Sequence, residues 1–473
     1  MNRATDYASV MARKTEIMKA SVGIDYADFE SGSIAFDYEA MMRETGYNLD
    51  EVRAIQSAVG VGDTHILEMK NLTKLARKLA APGKGARIFI KDEAMNPSGS
   101  FKARRAAVSV YHAKKCGFKG VLTATSGNYG AAVASQAAML GLKCIVVQEA
   151  YDSRGIGQPE IIEKARKCEA LGAEVVQVSV GPELFYKFLL LLEETGYFNA
   201  SLYTPFGIAG VETLGYEIAA QFREKIGRDP DVVVCTNAGG GNVTGTARGL
   251  RKAKSSAQVV GASVDLSGLH MASDRDFNRK SFTTGHTGFG VPFGVNPDRS
   301  DVPRSAARPL RYLERYVTMG QGCVFYITEA LASLEGLEKG PAGNTSLAAA
   351  FVLAQEMDED QVIVVQETEY TGAGKHLQPQ LSFARHNGVE VKYGDPADET
   401  PGKNIILPKD PSFVKIKDID LDNMRRSLVQ NDLKDLKARS GADAEPTEDD
   451  ILYMAEETNT DGDFVRRTLA ELK

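Results

Sequence analysis

Four short stretches hold the residues that could do chemistry. In the first, Asn96, Pro97, Ser98, Gly99 and Ser100 place five turn formers directly ahead of Phe101 and Lys102. Such a turn ends one element abruptly and starts the next, so the amine of Lys102 has a fixed direction, and an amine held this way can form a Schiff base with a carbonyl. In the second, Thr125-Ser126-Gly127-Asn128-Tyr129-Gly130 follows the apolar run GVLTA. Ser126 or Asn128 could simply cap a helix, yet together these residues also offer N–H groups and an amide to a ligand. In the third, NAGGGNVTG from Asn237, no Cβ is present at Gly239, Gly240 and Gly241, so main-chain N–H groups at the start of the next helix can approach an anion as a phosphate cradle. The fourth, Glu367 to Lys375, sets hydroxyls, Thr371 among them, in a glycine-bearing loop after the strand QVIVVQ.

The elements that must position these stretches alternate. From about residue 87 to 367, short β-rich runs (IFI, GVLTAT, KCIVV, AEVVQV, DVVVCT, QVVGASV, QVIVVQE) are separated by segments of helical period, such as Ala103, Ala106, Ala107, Val110 and Ala113 along one face. Pro159 near one helix start and Gly172 past its end follow the usual asymmetry of helix termini. This pattern implies an α/β protein with parallel sheets covered by helices on both faces, where ligands sit beyond the C-terminal ends of strands. The domain reading is an N-terminal extension over 1–60, a large domain from 61–102 and 216–394, a small α/β domain over 103–215, and a charged helical appendage with a linker over 395–473. The Lys- and Arg-rich face after Lys102 reads as ordinary solvated surface.

Composition narrows the classes. With 473 residues, 43% hydrophobic and 25% charged, the chain can bury large cores. No run approaches the length of a membrane span, and the first residues lack the apolar core of a signal peptide, so a cytoplasmic protein is expected. A formal charge of −7 argues against nucleic-acid binding. Five dispersed cysteines and six histidines show no metal-ligand spacing and no disulfide framework. Cys323, in MGQGCVF, reads as a loop residue and the least core-like thiol. Gly239 and Gly241 with Asp265 downstream also approximate a dinucleotide fingerprint, but its sixth position is Thr244 and the unit comes late in the chain.

A Schiff-base lysine, an amide-bearing turn, a phosphate cradle and a late hydroxyl together match what pyridoxal phosphate needs. In this order, NPSGSFK, SGN, GGGN and TGAGK resemble the tryptophan synthase β and threonine synthase superfamily, fold type II of the pyridoxal-phosphate enzymes. The resemblance covers roughly 60–385 and implies two doubly wound parallel-sheet domains. It also implies Lys102 as the Schiff-base lysine, Asn128 at the cofactor ring, and Gly239, Gly240, Gly241 and Asn242 at its phosphate. Thr125, Ser126 and Tyr129 would hold the substrate carboxylate, and Thr371 would face the pyridine nitrogen, with Thr368 as the fallback because the motif is one residue short. A neutral partner at that nitrogen makes the ring a weaker electron sink and favours chemistry beyond Cα. GPAGNTSLAAA resembles the family's helix start without its glutamate.

Longer segments, among them QEAYDSRGIGQPEIIEKARKCEALGAEV and CTNAGGGNVTGTARGLRKA, resemble the large subunits of thiolases that act on 2-amino-4-oxo acids. That likeness implies cleavage of 2-amino-4-oxopentanoate by coenzyme A to acetyl-CoA and alanine in ornithine breakdown, with a small second subunit and a dimeric core. A β-elimination or β-replacement lyase, or a non-catalytic regulatory scaffold, would carry the same loops, although a scaffold has no chemical need for Lys102. The arginine run Arg299, Arg304, Arg308, Arg311 and Arg315 is the candidate contact for coenzyme A or a partner.

Overall fold

The computed structural model describes residues 3–125, 127–157, 159–179, 181, 183–266, 302–370 and 377–471. Thirteen strands lie in these residues: β1 Ile66–Glu68, β2 Arg87–Asp92, β3 Gly120–Thr125, β4 Lys143–Tyr151, β5 Glu174–Ser179, β6 Phe198–Asn199, β7 Val232–Thr236, β8 Gln258–Val264, β9 Arg315–Met319, β10 Val362–Glu367, β11 Glu390–Gly394, β12 Asn404–Pro408 and β13 Lys417–Asp418. They form a seven-stranded sheet ordered β1-β2-β10-β7-β8-β9-β13, a four-stranded sheet ordered β5-β4-β3-β6, and the pair β11-β12. The centre of the large sheet and all of the small one are parallel, as the alternation implies. The outer strands β1 and β13 are antiparallel.

Both sheets are covered on two faces. On the large sheet, Ile88, Ile90, Val234, Val260, Ile363 and Val365 pack against helices Lys70–Leu79, Gln321–Glu335 and Pro341–Glu356; Phe89, Val233, Val259 and Val364 pack against Pro205–Ile226 and Gly241–Lys252. The period of two along each strand produces this split. Helices Pro205–Ile226 and Gly241–Lys252 touch backbone to backbone. A Cβ on Gly249 would stand 1.9 Å from the Glu212 carbonyl oxygen, and one on Gly215 2.0 Å from that of Thr246. On the small sheet, Val121 and Val146 face helices Lys102–Lys115 and Asn128–Leu140, while Leu122, Ile145 and Val147 face Glu183–Thr195.

The basic start of helix Lys102–Lys115 is not solvated surface. Arg104 is fully buried and Arg105 is 2% exposed. Arg104 reaches Glu93 through Nε (2.7 Å) and Nη2 (2.8 Å), and Glu217 through Nη1 (2.9 Å) and Nη2 (2.7 Å). Lys91 Nζ donates to Glu217 (3.0 Å) and to the Thr64 carbonyl (2.7 Å), and Glu93 also accepts from Thr64 Oγ1 (2.6 Å) and Asn96 Nδ2 (2.8 Å). Helical period explains the misreading: the apolar face counted from Ala103 is flanked on both sides by other elements, leaving no open side at the helix start.

The chain ends are tied into the body. Tyr38 Oη donates to the Ala306 carbonyl (2.6 Å), and Asp450 accepts from the N–H groups of Ile34 and Ala35 (2.7 Å each). The arginine run supplies the clamps. Arg304 lies over the rings of Phe36 and Tyr453, Arg308 and Arg311 pair with Glu457, Arg311 also with Glu456, and Arg315 bonds Asp418 and Glu356. Arg308 and Arg311 are buried in these pairs, whereas Arg304 and Arg315 remain half-buried; Arg299 lies outside the described residues. Residues 395–420 carry β12, parallel to β11, and β13 on the edge of the large sheet. Among the described residues no helix is long and apolar enough to cross a membrane.

Burial pushes the Glu217 carboxyl up, but Arg104 and Lys91 outweigh it and hold it at about 2 against an ordinary 4.5. A carboxyl depressed on folding stabilises the fold above pH 4.5 and loses that contribution as pH falls through about 2. Glu217→Gln should therefore cost ~3–5 kcal/mol near neutral pH, because it leaves buried cations short of an anion. Urea unfolding should show variant and parent converging between pH 4.5 and 2.

Candidate functional site

In the large sheet β2, β10 and β7 are adjacent and parallel, so the turns that leave their C-terminal ends emerge side by side. The lysine-bearing turn is bound to the segment after β10 by main-chain bonds. Phe101 N–H donates to Thr368 O (3.0 Å), Tyr370 N–H to Gly99 O (2.8 Å), and Ser100 and Glu369 form a bridge. Glu369 O also accepts from Gly340 N–H (3.1 Å), where helix Pro341–Glu356 begins. Ser98 and Gly99 adopt positive φ of 66° and 74°, which a non-glycine residue such as Ser98 seldom does. Lys102, half-buried, is the first residue of its helix. Its direction is set on both sides, by this pairing and by Arg104.

The turn after β3 is built on Thr125, whose Oγ1 accepts from Gly127 N–H (3.0 Å). Half-buried Asn128 opens helix Asn128–Leu140, and Tyr129 is fully buried in the core of the small sheet. Ser126 lies outside the described residues, as does Thr371; Thr368 is buried at the end of β10. Two lysines of helix Pro159–Ala170 reach these turns. Lys167 Nζ donates to Ser98 O (2.7 Å), and Lys164 Nζ is 3.0 Å from where a Cβ on Gly127 would stand. Nothing in their own helix marked them out.

The glycine loop is closed to side chains. A Cβ would stand 1.7 Å from Tyr203 Oη at Gly239, 2.6 Å from Pro309 at Gly240, and 2.5 Å from Arg105 Nη2 at Gly241. Gly240 has φ +81° and caps helix Gly241–Lys252, whose first N–H groups have no partner within the helix. Asn242 donates to Thr236 O (3.1 Å), and its buried Oδ1 has no hydrogen-bond partner. A bare loop, a helix start and a guanidinium fit a phosphate group. Arg105 went unnoticed in the sequence, although residues three apart on a helix share a face, so Lys102 and Arg105 lie together. Glu367, fully buried at the end of β10, was missed too; burial pushes its carboxyl well above the usual range, with Lys339 opposing.

Cys323 is not in a loop. It sits on helix Gln321–Glu335, 1% exposed, and burial raises its thiol to about 12. Cys144 and Cys235 rise to about 12 and Cys168 to about 11 for the same reason, and Cys116 alone is exposed.

This geometry defines an α/β enzyme built around pyridoxal phosphate: a family model described as "Pyridoxal-phosphate dependent enzyme" matches residues 58–369, and the chain belongs to that family. It is 70% identical over 473 residues, the full length of both chains, to the 2-amino-4-ketopentanoate thiolase beta subunit of Acetoanaerobium sticklandii. A protein of the same name from an unknown prokaryotic organism is 63% identical over 100% of this chain and 99% of its own. Threonine synthase of Halalkalibacterium halodurans is 28% identical over 196 residues, 41% of this chain and 50% of its own. Among solved structures, O-ureido-L-serine synthase superposes with a TM-score of 0.51 at 22% identity, over 67% of this chain and 91% of that one, which shows the shared fold.

The cysteine environments predict one fast thiol. A thiol reagent should label Cys116 alone in the native protein and all five cysteines after denaturation, as read by peptide mass spectrometry; rapid native labelling of Cys323 would contradict its burial.

Proposed function

We propose that this enzyme cleaves 2-amino-4-oxopentanoate with coenzyme A, giving acetyl-CoA and alanine, as the larger of two subunits, with Lys102 carrying the cofactor. The observation that supports this reading most is the lysine turn, fastened by main-chain bonds to the end of β10 and opening beside the glycine loop. The full-length likeness to two chains named 2-amino-4-ketopentanoate thiolase beta subunit supports the substrate, and their name supports a companion chain. We take the core to be dimeric and the protein cytoplasmic.

When bound, pyridoxal phosphate withdraws electrons from the substrate's α-carbon and the carbons next to it. Lys102 would hold the cofactor through its amine and, once displaced by the substrate amine, stand free to move a proton at Cα. Gly239, Gly240, Gly241 and Asn242 would bind the phosphate, and Asn128 would orient the ring. Thr125, Ser126 and, through its main-chain N–H because its ring is buried, Tyr129 would receive the substrate carboxylate, with Lys164 close by as a cation. Thr371 would face the ring nitrogen. The thiol of coenzyme A attacks the ketone carbon, the bond from that carbon to the adjacent CH2 breaks, and the CH2 takes up a proton to become the methyl group of alanine. The described cysteines are buried or, in Cys116, at the far end of the lysine helix, so we assign the direct attack to coenzyme A.

Borohydride should bleach the yellow protein and fix the cofactor to the peptide containing Lys102, and Lys102→Ala should retain no cofactor after the same treatment and denaturation. Incubated with 2-amino-4-oxopentanoate and coenzyme A, with and without the small subunit, the enzyme should form a thioester, slowly when alone. Ammonia instead would indicate a lyase, and neither product a scaffold.

Gly240→Asp should weaken cofactor binding at least ~10-fold while changing turnover per bound cofactor much less. It puts a Cβ against Pro309 at positive φ and a negative charge in the cradle. Cofactor titration of the stripped protein measures this, and unchanged affinity would place the phosphate elsewhere.

A further inference from the structure

We propose that Arg105 is a phosphate-binding residue that closes the glycine loop from the side opposite the main chain and makes the site selective for the phosphorylated cofactor. This rests on the reading that the loop takes the phosphate of pyridoxal phosphate.

Arg105 is 2% exposed, and among the described residues no carboxylate pairs with it. Nη1 donates to the Leu202 carbonyl (3.1 Å), Nε has no hydrogen-bond partner, and Cζ lies 5.4 Å from the Phe101 ring centroid. A guanidinium has five N–H donors, so most of its capacity is unused here. Both terminal nitrogens stand where a Gly241 side chain would begin, 2.5 and 2.7 Å from that Cβ position. Gly241 is the first residue of a 12-residue helix, so the cation and the N–H groups of the helix start converge on one spot.

The neighbouring arginine provides the contrast. Arg104 is equally buried but is surrounded by Glu93 and Glu217, with four bonds between 2.7 and 2.9 Å. A buried charge with no opposite charge beside it is among the costliest features a fold can carry. A phosphate monoester on this loop would supply an anion to Arg105, and the planar guanidinium can bind two of its oxygens at once. Burial pulls the Arg105 guanidinium below its usual range, with Tyr203 and Tyr129 opposing, a cost that an adjacent anion would offset.

The test compares full-length protein stripped of cofactor with Arg105→Gln and Arg105→Lys, titrated with pyridoxal phosphate and with pyridoxal, which lacks the phosphate. Arg105→Gln should weaken pyridoxal phosphate about 10- to 100-fold, the loss of one or two charge-assisted bonds. Pyridoxal affinity should stay within about threefold, since its bonds are untouched, and Arg105→Lys should fall between as a point charge. The stripped Arg105→Gln protein should unfold at a temperature no lower than the stripped parent. A second measurement needs no variant: inorganic phosphate should raise the unfolding temperature of the stripped parent and compete with pyridoxal phosphate.

Equal losses for both ligands, an unchanged preference, or no effect of inorganic phosphate would overturn the inference. So would a variant that binds pyridoxal phosphate normally but has a raised KM for coenzyme A, which would assign Arg105 to the cosubstrate's phosphates. A parent protein that binds no pyridoxal phosphate refutes the functional reading itself, whereas a parent that prefers it and an Arg105→Gln protein that keeps the preference refute only the role of Arg105.

Discussion

The closed set of buried charges formed by Lys91, Glu93, Arg104 and Glu217 is the constraint on which the rest of the site depends. Two cations and two carboxylates balance, and each carboxylate accepts several bonds, so burial is offset by geometry. The network joins β2, the turn after it, the lysine helix and helix Pro205–Ile226. Asn96 within it also accepts from Gly62 N–H (2.9 Å), which draws in the segment before β1. Once Arg104 is fixed, helical rotation decides the rest. Arg105, one residue on, turns toward the glycine loop, and Lys102, three residues before it, shares that side.

The two sheets contribute unequally. Three of the four turns leave adjacent parallel strands of the large sheet, so their closeness follows from strand order. The fourth comes from β3 in the small sheet and is brought to the others by helix Lys102–Lys115, which packs on both Asn128–Leu140 and Pro205–Ile226. That helix therefore serves twice: its first turn presents the lysine, and its body holds the Asn128 turn in place. Helix Pro159–Ala170 adds a further tie through Lys167, which bonds the lysine turn from the small-sheet side.

The chain termini show a different use of charge. The arginine run from 304 to 315 binds the N-terminal extension and the C-terminal helices to the body, partly over aromatic faces and partly to Glu456 and Glu457. Arg308 and Arg311 are buried in these pairs.

The sequence by itself determined the α/β class, the parallel run of the central strands and the four loops, because these rest on local signals: strand and helix period, turn residues and missing Cβ atoms; the order of the strands came from the structure. It could not show the burial of Arg308 and Arg311, or that of Arg104 and Arg105, since a basic stretch has the same period whether water or another element lies against it. Cys323 was misplaced for a similar reason: Gly320 and Gly322 look like a loop, but Gly320 caps a helix, and Glu399, 77 residues beyond Gly322, accepts the N–H groups of Gln321 and Gly322 (2.5 and 2.9 Å). Only the tertiary structure decided which charges face each other. Ion pairing depends on positions far apart in the chain, such as Arg104 with Glu217, and no local spacing encodes it.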